Sequence, residues 1–340
     1  MSGGIQTQVN VAQTPAVAGD WASANPRTFY TGGPGGLVAG PSGVTVGLFA
    51  WASYAGPSDT DNAPLFAANT FGGYVVGAYG FGGAGGVSPT GIIHRQQQGL
   101  NTTYLLDAAM TIPSGFPVAL CTGGDIWVTN SGTGSVYPGY QAFAYFASGK
   151  AMFMAAGSSV ATITAATSSI AAQTSASITG GISGNLLTAT AVTNTIYIGM
   201  TLSGGATVSG TVITGQATPL LTGEATGGIG RYYLSIPEQT VATGTALTGA
   251  GYTLTVGAAP SSGTIPIGSY YTYSTTNAGY VTQYITGSGG NGSTLSVTPT
   301  TGTTLGSNTI NFTTYAATKW FAQSAAASGE LVKLTSWSLG

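Results

Sequence analysis

Residues Gly115–Asn130 read GFPVALCTGGDIWVTN. Two short runs of β-branched and aromatic residues stand on either side of a Gly-Gly break, with Pro before them and Asn after. A run of four to eight such residues bounded by turn formers reads as a strand. The same pattern recurs on both sides. GVTVGLFAWA (43–52), FGGYVVGAYGF (71–81), GIIHRQQQ (91–98) and QAFAYFASGKAMFMA (141–155) are punctuated by Gly, Pro, Asn or Ser about every ten residues. That spacing predicts an all-β sandwich or barrel. No segment carries a helical stripe of useful length; Asn101–Ala109 is the best short-helix candidate.

The composition agrees with this and narrows the function. The chain has 6 Lys+Arg and 8 Asp+Glu in 340 residues, or 4 % charged, against roughly 25 % in an ordinary soluble domain. So few ionic groups leave little for acid–base catalysis, metal binding or phosphate handling. No cofactor, no metal and no enzymatic activity are expected. A formal net charge of −2 opposes nucleic-acid binding, which needs a basic stripe. Disorder couples low hydrophobicity to high net charge, and a chain that is 43 % apolar with charge −2 has neither. A near-neutral chain tends to associate, which suits a part of a large assembly. The single cysteine, Cys121, excludes an internal disulfide and fits synthesis in a reducing cytosol. The N-terminal residues have neither a basic start nor an apolar run, so no signal peptide is expected. The charge-free run 151–172 is dense in Ser and Thr and lacks basic flanks, so no membrane span is expected.

Residues 1–43, broken by Pro15, Pro26, Pro34 and Pro41, read as an extended N-terminal arm laid over a surface. A core domain is expected over 44–157, closed by 316–340. Residues 158–183, rich in Ser, Thr and Ala without a clear period, read as a linker. An internal repeat follows, with one copy over 184–250 and one over 251–315. Its shared frame is a strand, then I-x-I-G (Ile196, Ile198, Gly199; Ile265, Ile267, Gly268). An I-T-G strand comes next (Ile213–Gly215; Ile285–Gly287), then a Gly-rich turn and a strand closed by Pro237 or Pro299. Two small sandwich-like β modules, inserted near the end of the core domain, are the expectation.

Several segments, taken in order, resemble the Gp24-like structural cement, or capsid decoration, proteins of tailed phages. They are PAVAGDWASANPR (15–27), GPGGLVAGPSGVTVGLFAWA (33–52), GIIHRQQQGLNTTYLL (91–106), IPSGFPVALCTGGDIWVTN (112–130) and ASGELVKLTSW (327–337). The likeness covers about half the chain and leaves out the repeats. It implies a virion protein on the outer capsid surface, made in the host cytoplasm, that bridges major capsid subunits while the repeats project outward. Such proteins sit on symmetry axes, so a homotrimer is expected, with a dimer as runner-up. The rival reading is a tail fibre or host-glycan adhesin.

The candidate interface residues are Trp21, Arg27, Trp51, His94 and Arg95. Trp and Arg dominate protein interfaces, and Arg95 offers a fork for a partner's carboxylate. His94 is the only histidine and has no nucleophile or orienting carboxylate at readable spacing, so a structural or interface role is expected of it. Gly287–Gly292 matches G-x-G-x-x-G, but a β-like run follows it and no acidic residue comes until Glu330, so it reads as a hairpin turn. Asp59–Asn62 lacks the glycine and distal glutamate of a calcium loop. The repeat tyrosines (Tyr232, Tyr233, Tyr270, Tyr271, Tyr273, Tyr280, Tyr284) read as core and strand-face residues ahead of a glycan surface.

Overall fold

The computed structural model describes residues 16–30, 37–40, 43–54, 73–76, 88–95, 110–113, 116–217, 219–236, 239–273, 278–299 and 304–337. All regular structure among them is strand. The Asn101–Ala109 helix candidate and the Asp59–Asn62 loop lie outside the described residues.

The strands run, in order, β1 Thr28–Tyr30, β2 Leu37–Ala39, β3 Val44–Thr45, β4 Phe49–Tyr54, β5 Gly73–Val76 and β6 Gly91–Ile93. Then come β7 Thr111–Ile112, β8 Leu120–Gly123, β9 Asp125–Thr129, β10 Gln141–Tyr145 and β11 Ala151–Met154. The inserted region holds β12 Ile163–Ala172, β13 Ala176–Gly184, β14 Leu186–Thr193, β15 Thr201–Ser203, β16 Ile213–Gln216 and β17 Gly230–Leu234. It continues with β18 Gln239–Ala250, β19 Tyr252–Thr255, β20 Tyr270–Thr272, β21 Ala278–Thr286, β22 Thr294–Pro299 and β23 Leu305–Thr313. The chain then returns as β24 Tyr315–Ala322 and β25 Leu331–Thr335.

Two large sheets, with strand orders β1-β8-β6-β4-β5-β2 and β11-β10-β24-β25-β9, and the short β3-β7 pair make the core domain. Side chains alternate across a strand, and the central strands β4, β6 and β8 of the first sheet bury residues on both faces. Phe49, Trp51, Ile92 and Cys121 face the second sheet, meeting Ile126, Val128, Trp320, Val332 and Leu334. The alternate residues Ala50, Ile93 and Leu120 face a second cluster with Leu37, Val44, Ile112 and Val118. Burial on both faces explains why Gly91–Ile93 is buried at every position and reads as an unbroken apolar run. The expected arm contributes to this domain: β1 pairs with β8, and β2 pairs in parallel with β5.

Residues 158–183 are not a linker. They supply β12 and β13, the first strand of each module. Strands β12-β19-β22-β21-β20-β23 form a closed barrel. Strands β15-β18-β13-β14-β17-β16 form a half-barrel, whose end strands approach through the Thr201–Val212 bridge. Started at β20, the barrel reads β20-β23-β12-β19-β22-β21, the same connectivity strand for strand. The repeat is therefore one six-stranded topology used twice. The half-barrel sits in the chain between the first and second strands of the barrel, so the modules are nested and not in tandem. The uncharged run 151–172 forms β11 and β12.

Two equivalent turns join the three bodies. In the half-barrel, the Gly199 amide donates to the Ile213 carbonyl (2.8 Å), and the Ile213 amide donates back to Met200 (2.9 Å). In the barrel, Gly268 donates to Val281 (2.7 Å), and Val281 donates to Ser269 (3.0 Å). Ile213 thus corresponds to Val281 and not to Ile285, because β21 is longer than β16 and carries its I-T-G a turn further on. The half-barrel turn docks on the barrel. The Ile198 carbonyl accepts from Thr282 (2.6 Å) and Ser296 (3.0 Å), and its amide donates to Gln283 (3.1 Å). The barrel turn docks on the core domain. Gly268 lies on Ala147, and the Tyr145 hydroxyl reaches the Ile267 carbonyl at 3.5 Å. Phe146 packs between Trp51 and the barrel's Tyr270 and Tyr280, at ring distances of 6.1, 6.0 and 5.8 Å.

Candidate functional site: an aromatic and arginine cluster on the core domain

The segment before β1 is stitched to the edge strand β9. The Gly19 amide donates to the Trp127 carbonyl (2.7 Å), Trp127 donates to Asp20 (2.9 Å), and Ala22 donates to Asp125 (3.0 Å). The buried Asp125 carboxylate locks the next turn. It accepts from Ser23 (2.6 Å) and Asn25 (2.8 Å) and faces the Lys333 ammonium at 3.6 Å. Burial pushes this carboxyl up, but hydrogen bonds from Ser23, Thr335 and Asn25 and the Lys333 charge outweigh it, and the net shift is downward. The same segment meets the end of β6, where the Arg95 amide donates to the Gly19 carbonyl (3.2 Å).

That crossing brings Trp21, Arg27, His94 and Arg95 together. The Trp21 and His94 rings stack at 4.6 Å with 27° between planes. Phe29 stands edge-on to both, at 5.2 and 5.7 Å. The Arg27 guanidinium lies 4.4 Å from the Trp21 ring centre, held by the Ser23 carbonyl at 3.1 Å. This is a cation–π contact. Arg95 pairs with Asp20 at 3.5 Å. Burial lowers the His94 pKa, the Asp20 charge opposes this, and Arg27 adds to it, so the imidazole is neutral at pH 7. Its ring is spent on stacking. The cluster remains open to a partner: Phe29 is 43 % exposed, and Trp21 is only partly buried.

Trp51 is not part of this surface. It is 6 % exposed and stacks on Phe146 inside the core domain, against the junction with the barrel. Phe29 and Asp20 belong to the cluster and were not singled out from the sequence. The signal was there: Phe29 follows Arg27 by two residues, and Asp20 adjoins Trp21. The repeat tyrosines are largely internal. Tyr232 and Tyr271 are buried, the Tyr284 hydroxyl donates to Ile265 at 2.9 Å, and Tyr270 and Tyr280 form the barrel–core junction.

Among the described residues, no three of His, Cys, Asp and Glu gather into a metal-binding group, and no helix is long and apolar enough to cross a membrane. No curated protein matches the chain. Residues 5–214 match the family described as XM1 gp53 minor capsid protein. The match takes in the arm, β1–β11 of the core domain, β12, and the half-barrel as far as the start of β16. It spans more than half of the 340 residues, so the chain belongs to the XM1 gp53 minor capsid protein family and is a structural protein of the phage virion.

Proposed function

We propose that this minor capsid protein is a cement protein. Its core domain sits on the outside of the assembled shell, bridging neighbouring major capsid subunits, and the nested modules point away from it. Copies occupy symmetry axes as trimers. One observation carries the reading: the half-exposed Trp21–Arg27–Phe29–His94 cluster. It has the make-up of an interface hot spot, with aromatic and arginine anchors in one packed patch. Stacking and hydrogen bonds hold it rigid before any partner arrives, which lowers the ordering cost of binding. The resemblance to Gp24-like decoration proteins supports the outer position. The core domain carries both that resemblance and most of the matched family region, and the modules are inserted into it between β11 and β24.

Binding to the assembled shell and not to free subunits stabilises the shell by mass action. The test is to add purified protein to particles lacking it and to follow occupancy and the temperature of shell disruption. The expected result is saturable binding with a higher disruption temperature. A Trp21→Ala, Arg27→Ala double variant should lose at least tenfold in affinity, since each such anchor contributes about 1–2 kcal/mol or more. Density for this chain inside the shell or only at the tail would overturn the proposal. So would saturated particles that disrupt at the same temperature as bare ones.

A further inference from the structure

The two modules match strand for strand, so each shows what the other would look like at the same place. The first two strands of the half-barrel, β13 and β14, form a plain hairpin. Ser183 pairs with Leu186, and Gly184 (φ +66°) and Asn185 make the whole turn. A two-residue hairpin turn is favoured by glycine at positive φ in its first position. The equivalent strands of the barrel, β12 and β19, pair in the same manner, from Ser169 with Thr255 to Ala172 with Tyr252 without a shift of register. The Gln173 amide carries the ladder one step further, donating to the Gly251 carbonyl (2.9 Å). Where the two-residue turn would stand, the chain departs for residues 174–250 and returns beside its point of departure.

That stretch closes on itself. Among the described residues, the apolar core of the half-barrel is drawn from 176–247 alone, with Leu187, Met200, Tyr232 and Leu234 fully buried. The core of the barrel, with Leu254, Val281, Leu295 and Phe312 fully buried, takes no residue from it. Hydrogen bonds from Thr282 and Ser296 to the Ile198 carbonyl, and from the Ile198 amide to Gln283, join the two bodies. The barrel does not depend on them for its own bonding. The Thr282 hydroxyl also reaches the Ser296 carbonyl at 3.0 Å, so it keeps a partner inside the barrel when the Ile198 turn is gone.

We infer that the half-barrel is an autonomous head, inserted in the turn of an otherwise complete hairpin, and that the barrel and the core domain fold without it. An inserted module with its own core needs only two chain ends held close together. Adjacent positions of an antiparallel ladder, about 5.5 Å apart between Cα atoms, supply them. The head then opens and closes as a unit of its own, and its outer surface can change without disturbing the barrel or the core domain.

Two measurements test this. In the full chain, Tyr232→Ala removes a side chain that is 1 % exposed and whose hydroxyl donates to the Gly228 carbonyl (2.6 Å). Amide exchange in β13, β14 and β18 should speed up roughly a hundredfold, while β19, β21 and β22 keep the wild-type rate. Barrel amides that speed up in step with those of the half-barrel would overturn the inference. In the second measurement, residues 174–250 are replaced by Gly-Asn, the turn that the half-barrel itself uses. The shortened chain should be soluble, with slow exchange retained in β19, β21 and β22. An insoluble chain, or lost protection in those strands, overturns the inference, and this variant decides the matter if Tyr232→Ala leaves both modules unchanged. Shell binding is a separate readout. A shortened chain that folds but no longer binds the shell counts against the cement reading and leaves this inference standing.

Discussion

Replacing Gly268 by alanine should unseat the barrel from the core domain without unfolding either. Gly268 holds φ +87°, and a side chain in that region costs about 1–2 kcal/mol. A Cβ there would fall on the Cβ of Ala147 and within 2.9 Å of its Cα, where carbon atoms ordinarily approach to about 3.5–4 Å. Ala147 has no flexible side chain to move aside, so the whole turn must retreat. Overpacking of that kind costs about 1–3 kcal/mol. Together the terms come to about 3 kcal/mol, which is roughly a hundredfold in the docking equilibrium. The retreat also loosens the Phe146, Tyr270 and Tyr280 packing.

The equivalent change at Gly199 should cost less. Gly199 has φ +98°, and its neighbours are side-chain ends: Thr282 at 2.8 and 3.0 Å and Thr298 at 3.2 Å. Thr282 can rotate, giving up its bond to Ile198, for a total of about 2 kcal/mol. Limited proteolysis and calorimetry read the difference. Gly268→Ala should open the connections around 155–162 and 314 to cleavage while the barrel keeps its own melting transition. Gly199→Ala should free the half-barrel more weakly. Wild-type resistance in Gly268→Ala, or a larger effect at Gly199, would refute the docking argument.

Asp125→Asn should loosen the segment before β1 and cost about 2 kcal/mol, since it weakens buried hydrogen bonds to Ser23 and Asn25 and leaves Lys333 without its counter-charge; protease cleavage between residues 16 and 30 measures it. The Asp125 carboxyl titrates below its ordinary 3.8, so its stabilisation is present above that value and is lost as the pH falls through the lower folded pKa; acid titration of the same cleavage checks the sign. His94 titrates below its ordinary 6.5. The unfolded chain then takes up the proton first, and the Trp21–His94 stack loses stability as the pH falls below about 6.5; Trp21 fluorescence against a His94→Gln control follows it. Burial pushes the Cys121 thiol up to about 11, so a thiol reagent at pH 8 should leave native protein unmodified and react only on unfolding. On the proposed reading, shell binding should weaken only modestly between low and moderate salt, because apolar and stacking contact is little screened; a steep loss of occupancy would show that paired charges carry it.

Much of the architecture was legible before any coordinates. Gly115–Asn130 gave two strands, β8 and β9, at its Gly-Gly break, because short β-branched runs between turn formers leave the backbone few other ways to satisfy its hydrogen bonds. The returning tail, Tyr315–Thr335, joins the core sheet as β24 and β25 beside β10 and β9. Of the five candidate interface residues, Trp21, Arg27, His94 and Arg95 lie together where the segment before β1 crosses the end of β6, and Trp51 lies inside the core domain.

β12 escaped reading for a physical reason. Its inward residues are Ile163 and Ala165, then Ser168 and Ile170. A bulge, with Thr167 at φ +52°, shifts the alternation from odd to even positions midway. β13 hides its inward face behind Gly180 and Gly181. Period-two reading fails where a strand changes phase or packs without a side chain.

The residues alone determined the class of protein. A chain with 14 charged side chains among 340, glycine throughout and short β-branched and aromatic runs between turn formers favours strands and tight turns over helices. The nesting of one module inside the other was beyond that reach, because β12 joins partners some 80 and 140 residues away and no local pattern records so distant a pairing. Nor could the order of residues reveal that Ile-Gly turns fasten each body to the next, or that Trp21 and His94 share a stack across 73 positions of chain. Those contacts exist only once the sheets have folded and brought them within reach.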